Sequence, residues 1–213
     1  MKSRPIIFRG DMVRAILAGT KTQTRRVVKE TGLWEMDELD DGTPWPRFAS
    51  YVDVEPECAP VPCPYGVPGD ELWVRETGWL YRSSELTMFA YDDGSTRCLL
   101  DGGRTHDEPP KVVGGKPWRA ADYPIWKKTP SILMPRWASR LTLVVRSVRV
   151  ERLSAITEAD VRAEGFPPEP RGAMGQTVRP GPQDCFLAAF RAMHKLPADA
   201  DPWLWVVTFG VKP

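Results

Sequence analysis

Gly19-Thr20-Lys21-Thr22-Gln23-Thr24-Arg25-Arg26 is the stretch on which the reading of this chain turns. Before it, Met12, Val13, Ile16 and Leu17 fall on one helical face opened by Gly10 and Asp11, and Gly19 is placed as the C-cap. After it, Thr22 to Val28 is β-branched and charged, the composition of a strand. The octet therefore occupies a helix-to-strand corner, where backbone and side chains are exposed together.

Outward from the corner, Pro5-Ile6-Ile7-Phe8 predicts a short buried strand. Pro68-Gly69-Asp70 is a turn into a strand over Glu71-Leu72-Trp73-Val74-Arg75-Glu76. Strand pieces are expected near Met88 to Tyr91 and Cys98 to Leu100. Leu141, Leu143, Val145, Val148 and Val150 predict one long strand whose phase changes at Arg146-Ser147, as a bulge would make it. Thr157 with Asp160 opens a short helix through Glu164, closed by Gly165. Pro182 begins another to about Leu196, with Phe186, Ala189, Phe190 and Met193 expected on its buried face, and Trp203 to Phe209 is the last strand. The strands between 70 and 152 lack crossover helices, so the chain reads as α+β with a mostly antiparallel sheet or barrel rather than a doubly wound sheet.

A length of 213 residues suits a single domain spanning 1–213, with insertions at about 30–68 and 82–130 where periodicity is weak. The chain has nine Trp and 22 Pro, clustered between Trp34 and Trp137 where periodicity is weakest, which argues for loops pinned by aromatics, since disordered segments are poor in them. Trp34, Trp45, Trp79, Trp118, Trp126 and Trp137 are either stacking surfaces for bases or loop anchors. The net charge of +1 names no partner, but its distribution is uneven. Residues 1–29 hold eight Lys/Arg against one acid, residues 30–71 hold eleven Asp/Glu against Arg47, and residues 118–149 hold seven cations against Asp122. Neither a secretion signal nor a membrane span is expected, which places the protein in the cytoplasm. Cys58, Cys63, Cys98 and Cys185 fit no metal-ligand spacing and read as reduced thiols, so neither a metal nor another cofactor is expected.

No Gly-rich phosphate loop and no paired-histidine motif occurs, and His106 and His194, the two histidines, have no orienting partner nearby in sequence. Hydroxyl, amine and carboxylate remain. Lys21 and Thr24 are the right types for a base and a nucleophile, because burial and the neighbouring Arg25 and Arg26 would lower the lysine pKa. In a regular strand residues 21 and 24 point to opposite faces, so the pair meets only if Lys21 precedes the regular part of the strand. From the residues alone, a solvated strand edge is the plainer account of the octet.

Gly19-x-Lys21-Thr22-x-Thr24-x-Arg26 is similar to the G-x-K-T-x-T-x-R signature of the ASCH family, whose members have a PUA-like β-barrel. The similarity continues through Gly69-Asp70-Glu71-Leu72, the segment from Leu153 to Gly165, and Trp205-Val206-Val207-Thr208-Phe209. Over its whole length the chain resembles the larger phage- and prophage-encoded ASCH-like proteins, through Pro68 to Glu76 and Met134-Pro135-Arg136-Trp137-Ala138-Ser139-Arg140. The resemblance implies a pyrimidine nucleoside, a nucleotide or a nucleic acid as partner. Small bacterial relatives are amidohydrolases that remove the acetyl group of N4-acetylcytidine. By analogy Thr24 is the nucleophile, Lys21 its general base and Glu164 the proton donor to the departing amine. Arg26, Arg25, Thr22, Arg75 and Glu76 are the candidates for substrate contact, with Arg26 equally suited to pairing with an acid. Two other readings stand beside hydrolysis: a non-catalytic RNA- or DNA-binding module, and a metal-free ribonuclease. Arg25 departs from the apolar residue of the small enzymes, and the chain is about twice their length.

Overall fold

A computed structural model describes residues 1–29, 34–39, 41–48, 60–84, 86–99, 104–108, 112–113, 116–117, 119–122, 125–166 and 181–213. In chain order its elements are β1 (Ser3–Ile7), α1 (Gly10–Leu17), β2 (Gln23–Val27), β3 (Trp34–Glu38), β4 (Pro44–Phe48), β5 (Glu71–Arg75), β6 (Gly78–Arg82) and β7 (Thr87–Ala90). There follow β8 (Thr96–Leu99), β9 (Thr105–Glu108), β10 (Val112–Val113), β11 (Lys116–Pro117), β12 (Lys127–Thr129), β13 (Thr142–Arg152), α2 (Glu158–Ala163), α3 (Pro182–His194) and β14 (Trp203–Val211). The architecture is α+β, mostly strands in antiparallel sheets with few helices, as the sequence predicts. Strand pairing among the described residues leaves the sheets open at both ends, so these pairings do not close the expected barrel.

The chain forms two compact units. The first comprises Met1–Arg14, Asp70–Val144 and Val211–Pro213. In it β5 runs parallel to β1, with Ile6 opposite Val74, and antiparallel to the start of β13, with Leu72 opposite Leu143. All four of these side chains are buried, which is why this register holds: a slip of one residue would turn them outward. A second sheet of this unit runs in the order β12-β6-β7-β8-β9, antiparallel throughout. Phe89, Tyr91, Met134 and Ala138 pack beside it with Leu80 and Trp137. The expected strand pieces near Met88 and Cys98 are thus a hairpin, with Met88 opposite Cys98.

The second unit comprises Ala15–Gly69 and Val145–Gly210. Here β14 lies between β13 and β2, pairing with β2 so that Thr24 faces Val207 and Arg26 faces Trp205. Leu153, Ile156, Val161, Phe186, Phe190 and Leu204 form a core between α2, α3 and β14. Trp45 meets Trp205 edge-on and donates its ring N–H to the Val61 carbonyl at 2.9 Å, so this tryptophan anchors a loop. Along β13 the buried positions pass from Leu143 and Val145 to Val150, the change of phase read at Arg146-Ser147. Three apolar residues were misplaced by periodicity. Leu17 is 53% exposed and Met193 45% exposed, and Ala189 is exposed too. Helix α1 has only eight residues, so its last turn runs out to the surface, while Leu187 rather than Ala189 packs on the α3 core. Cys58, Trp118 and the residues from 167 to 180 lie outside the described residues. No helix among the described residues is long and apolar enough to cross a membrane.

Candidate functional site

The corner forms as its residues require. Gly19 sits at φ 73°, a left-handed conformation that a glycine adopts without penalty. The amides of Thr20 and Lys21 then both donate to the Ala15 carbonyl, at 2.9 and 3.1 Å, which ends the helix. Thr22 links two neighbours: its N–H donates to Ala163 at 2.8 Å and its carbonyl accepts from Phe209 at 2.9 Å. Lys21 and Glu164 make an antiparallel bridge beside it.

Glu164 is delivered to this bridge by α2. Thr157 and Asp160 form the capping box read from sequence: the Asp160 N–H donates to the Thr157 hydroxyl oxygen at 3.2 Å, and the Thr157 N–H donates to Asp160 Oδ2 at 3.1 Å. Gly165, at φ 71°, turns the chain immediately after Glu164. A Cβ at Gly165 would stand 2.8 Å from the Lys21 Cβ, so glycine is what lets the α2 end approach the lysine.

Lys21 is 2% exposed. Its Nζ donates to Glu164 Oε2 at 2.7 Å, to the Glu164 carbonyl at 2.8 Å and to the Gln23 carbonyl at 2.8 Å. Three acceptors meet the three ammonium hydrogens. Burial lowers the Lys21 pKa, and the Arg26 and Arg25 charges push the same way; the Glu164 carboxylate opposes them. An amine so placed is easier to deprotonate than an ordinary lysine, and its proton has a carboxylate 2.7 Å away.

Arg25 is the centre of the charge network, its side chain 0% exposed. It faces Glu151 at 3.1 Å, Asp160 at 3.3 Å and Glu164 at 3.5 Å. Gln23, two residues earlier and so on the same face of β2, donates to Asp160 Oδ1 at 3.1 Å. Arg149 closes the arrangement with Glu151 at 2.5 Å and Asp160 at 3.1 Å. Although burial raises the Asp160 pKa, the Thr157 hydroxyl and amide, Gln23 and Arg25 outweigh it and hold this carboxyl well below the usual range. Arg25 Nη1 and Glu164 Oε1, 3.5 Å apart, are both buried and have no hydrogen-bond partner among the described residues. Gln23, Arg149, Glu151 and Asp160 are network members that sequence reasoning missed. Their one visible signal was the pair Arg149 and Glu151 flanking the apolar Val150.

Thr24 is buried, on β2 opposite Val207, and alternation puts it with Thr22 and Arg26 rather than with Gln23 and Arg25. Thr22 is exposed and Arg26 half-buried. The Arg26 charge acts on Lys21, Tyr65 and His194, which puts it within electrostatic reach of all three. Burial, aided by Arg26, lowers the His194 pKa, and this ring packs 4.4 Å from Phe190. Arg75 and Glu76 belong to the first unit and leave β5 for different partners. Arg75 donates to the Ser131 carbonyl at 2.9 Å. Glu76, buried, takes both arms of Arg140 at 2.9 and 3.0 Å.

The structure therefore brings Lys21 and Glu164 into contact and surrounds them with Arg25, Gln23 and Asp160, all within the second unit. Among the described residues no group of histidine, cysteine and carboxylate side chains is arranged to hold a metal ion. No protein-family model matches the chain, and no curated protein and no solved structure matches it.

Proposed function

We propose that this chain is an ASCH-type protein of PUA-like fold that hydrolyses the N4-acyl amide of a cytidine-type substrate. The observation that carries the reading is the buried contact between Lys21 and Glu164, 143 positions apart in sequence and 2.7 Å apart in space. These are the base and the acid that the octet and the Thr157–Glu164 segment suggest when read together. In the proposed reaction neutral Lys21 takes the proton of the Thr24 hydroxyl, whose oxygen attacks the acyl carbon. The C–N bond then breaks as Glu164 protonates the departing exocyclic nitrogen, which leaves as the amino group of cytidine. Water, deprotonated in turn by the same base, attacks the acyl carbon; the ester C–O bond breaks, the proton held by Lys21 returns to the Thr24 oxygen, and the acyl group leaves as a carboxylic acid that ionises in water. The lowered pKa of Lys21 suits it to the first step, and its 2.7 Å bond to Glu164 suits the pair to exchange the proton that the second step uses. Exposed Thr22 and half-buried Arg26 are the residues left to meet substrate, whereas buried Arg25 acts from behind by holding Glu164.

The test is incubation with N4-acetylcytidine, as nucleoside and within an oligonucleotide, with release of acetate measured for the wild type, Thr24→Ala and Lys21→Ala. Turnover lost in both variants is expected. A wild-type protein that leaves every N4-acetylated substrate intact ends this reading.

A further inference from the structure

In the first unit, we infer a binding surface for single-stranded nucleic acid on the outer face of the β1-β5-β13 sheet, a reading independent of the proposed hydrolysis. Strand alternation splits β5 cleanly. Leu72 and Val74 are buried, while Trp73 and Arg75 are partly exposed on the other face. Their neighbours in register on β1 are Pro5, exposed, and Ile7, 44% exposed, and on β13 Thr142 stands opposite Trp73.

Two guanidinium groups lie over the Trp73 indole: Arg75 at 5.3 Å and Arg136 at 5.7 Å from the ring centroid. Each is fixed by an uncharged oxygen, Arg75 by the Ser131 carbonyl and Arg136 by the Ser3 hydroxyl, both at 2.9 Å. Neither forms an ion pair among the described residues, whereas Arg4 and Arg140 of the same unit are matched to Asp70 and Glu76. Glu71, the acid on this face of β5, is neutralised by Lys212 at 2.6 Å. Ile132 and Leu133, 64% and 69% exposed, protrude from the turn that holds Arg75.

The chemistry of this face selects its occupant. Guanidinium groups without an ion-pair partner bind phosphate oxygens through two parallel hydrogen bonds, and the partly exposed indole beside them is a surface against which a base can be laid. An acidic polypeptide would use the charges and waste the ring. A strand of nucleotides uses both, with the apolar turn against sugar and base edges. Double-stranded nucleic acid would keep its base faces covered by its own stacking.

The experiment measures anisotropy of a fluorescein-labelled oligo(dT) and oligo(U) titrated with the full chain between about 50 and 200 mM salt. We expect binding that weakens with salt. Replacing Arg75 and Arg136 together by alanine should lower the slope of log K against log salt by about 1.4, for two phosphate contacts on a single strand. Trp73→Ala should weaken binding about 5- to 150-fold, and Trp73→Phe much less. Both arginines are at least partly exposed, so the double variant retains its fold if its melting temperature is unchanged, and it decides the matter even if Trp73→Ala does not fold. Absence of binding at the lowest salt overturns the inference. So does a double arginine variant that binds like the wild type, or polyglutamate of equal charge competing as well as oligo(dT).

Discussion

Replacing Glu164 by glutamine removes one negative charge from a place where the Lys21 and Arg25 side chains are 1% and 0% exposed, with almost no change of shape. The amide oxygen can still accept from Nζ, so what is lost is compensation of charge. Leaving one member of a buried pair uncompensated destabilises by about 3–5 kcal/mol. At about 2–4 °C per kcal/mol for a chain of this size, the melting temperature should fall by about 6–20 °C at neutral pH. Lys21 can escape by giving up its proton. Burial already lowers its pKa, and in the variant the opposing pull of Glu164 is gone, so the folded-state value moves further below 10.5. The unfolded chain keeps that proton up to about pH 10.4, so between the two values the unfolded state binds more protons and stability rises with pH, by up to about 1.4 kcal/mol per pH unit. Below the folded-state value the full penalty remains. The deficit of Glu164→Gln against the wild type should therefore be greatest at neutral pH and shrink towards about pH 9–10. Thermal melts across that range measure it, and Lys21→Met/Glu164→Gln should recover part of the loss because no orphan ammonium is left. A deficit below about 1 kcal/mol, the same at every pH, would refute the desolvated pair.

Two further predictions concern the elements that hold this pair. Gly165→Ala should destabilise by about 2–4 kcal/mol, combining left-handed backbone strain at φ 71° with a Cβ 2.8 Å from that of Lys21, and should abolish any turnover that Lys21 supports; urea unfolding and the acetate assay read the two effects. Asp160→Asn should destabilise by about 1–3 kcal/mol at pH 7, through the capping box and the pairs with Arg25 and Arg149. The folded-state pKa of Asp160 is depressed, so its contribution is complete above about pH 3.9 and is lost as pH falls towards the folded-state value. Urea midpoints at neutral pH and in acid should therefore show the gap between wild type and variant closing in acid, and a gap unchanged with pH would count against the ion pairs.

What the sequence made legible was local. Gly19 and Gly165 announce left-handed turns because few other residues tolerate them, and both have positive φ. Thr157 and Asp160 announce a helix start through their own hydrogen bonds, and Val150 reveals a shifted β13 by breaking the alternation of Leu143 and Val145. Lys21 and Glu164 were joined through a resemblance, since nothing in the spacing of residues 143 apart says that they touch. The rest of the network was hidden for the same reason. Asp160 reads as a helix N-terminal acid and is one; that it also receives Gln23 and Arg149 depends on the order β13-β14-β2, which no local pattern encodes. Leu17, Ala189 and Met193 failed because a periodic apolar face is buried only where another element covers it.

Lys21 precedes the regular part of β2, which begins at Gln23, so strand alternation does not by itself decide whether Lys21 and Thr24 meet. Residues 21, 23 and 25 have one parity and residues 22, 24 and 26 the other, and Gln23 and Arg25 do turn together towards Asp160. Yet the Lys21 Nζ is bonded to two backbone carbonyls, those of Gln23 and Glu164, and backbone carbonyls of a strand lie near the plane of its sheet. The amine thus ends beside the backbone of β2 rather than out on either face, and the proposed reaction needs it to reach the hydroxyl of Thr24 from there. This makes Thr24 the discriminating position. Thr24 is 2% exposed, and replacing a buried hydroxyl by a methyl of the same shape is close to neutral for stability when the hydroxyl is not part of the fold's own bonding. If Thr24 is the nucleophile, Thr24→Val should melt within about 1 kcal/mol of the wild type while losing all turnover, and Thr24→Ser should retain turnover. A Thr24→Val variant that still releases acetate would remove Thr24 from the reaction. One that loses about 2–3 kcal/mol, with Thr24→Ser unable to restore activity, would assign its hydroxyl to holding β2 against the corner instead.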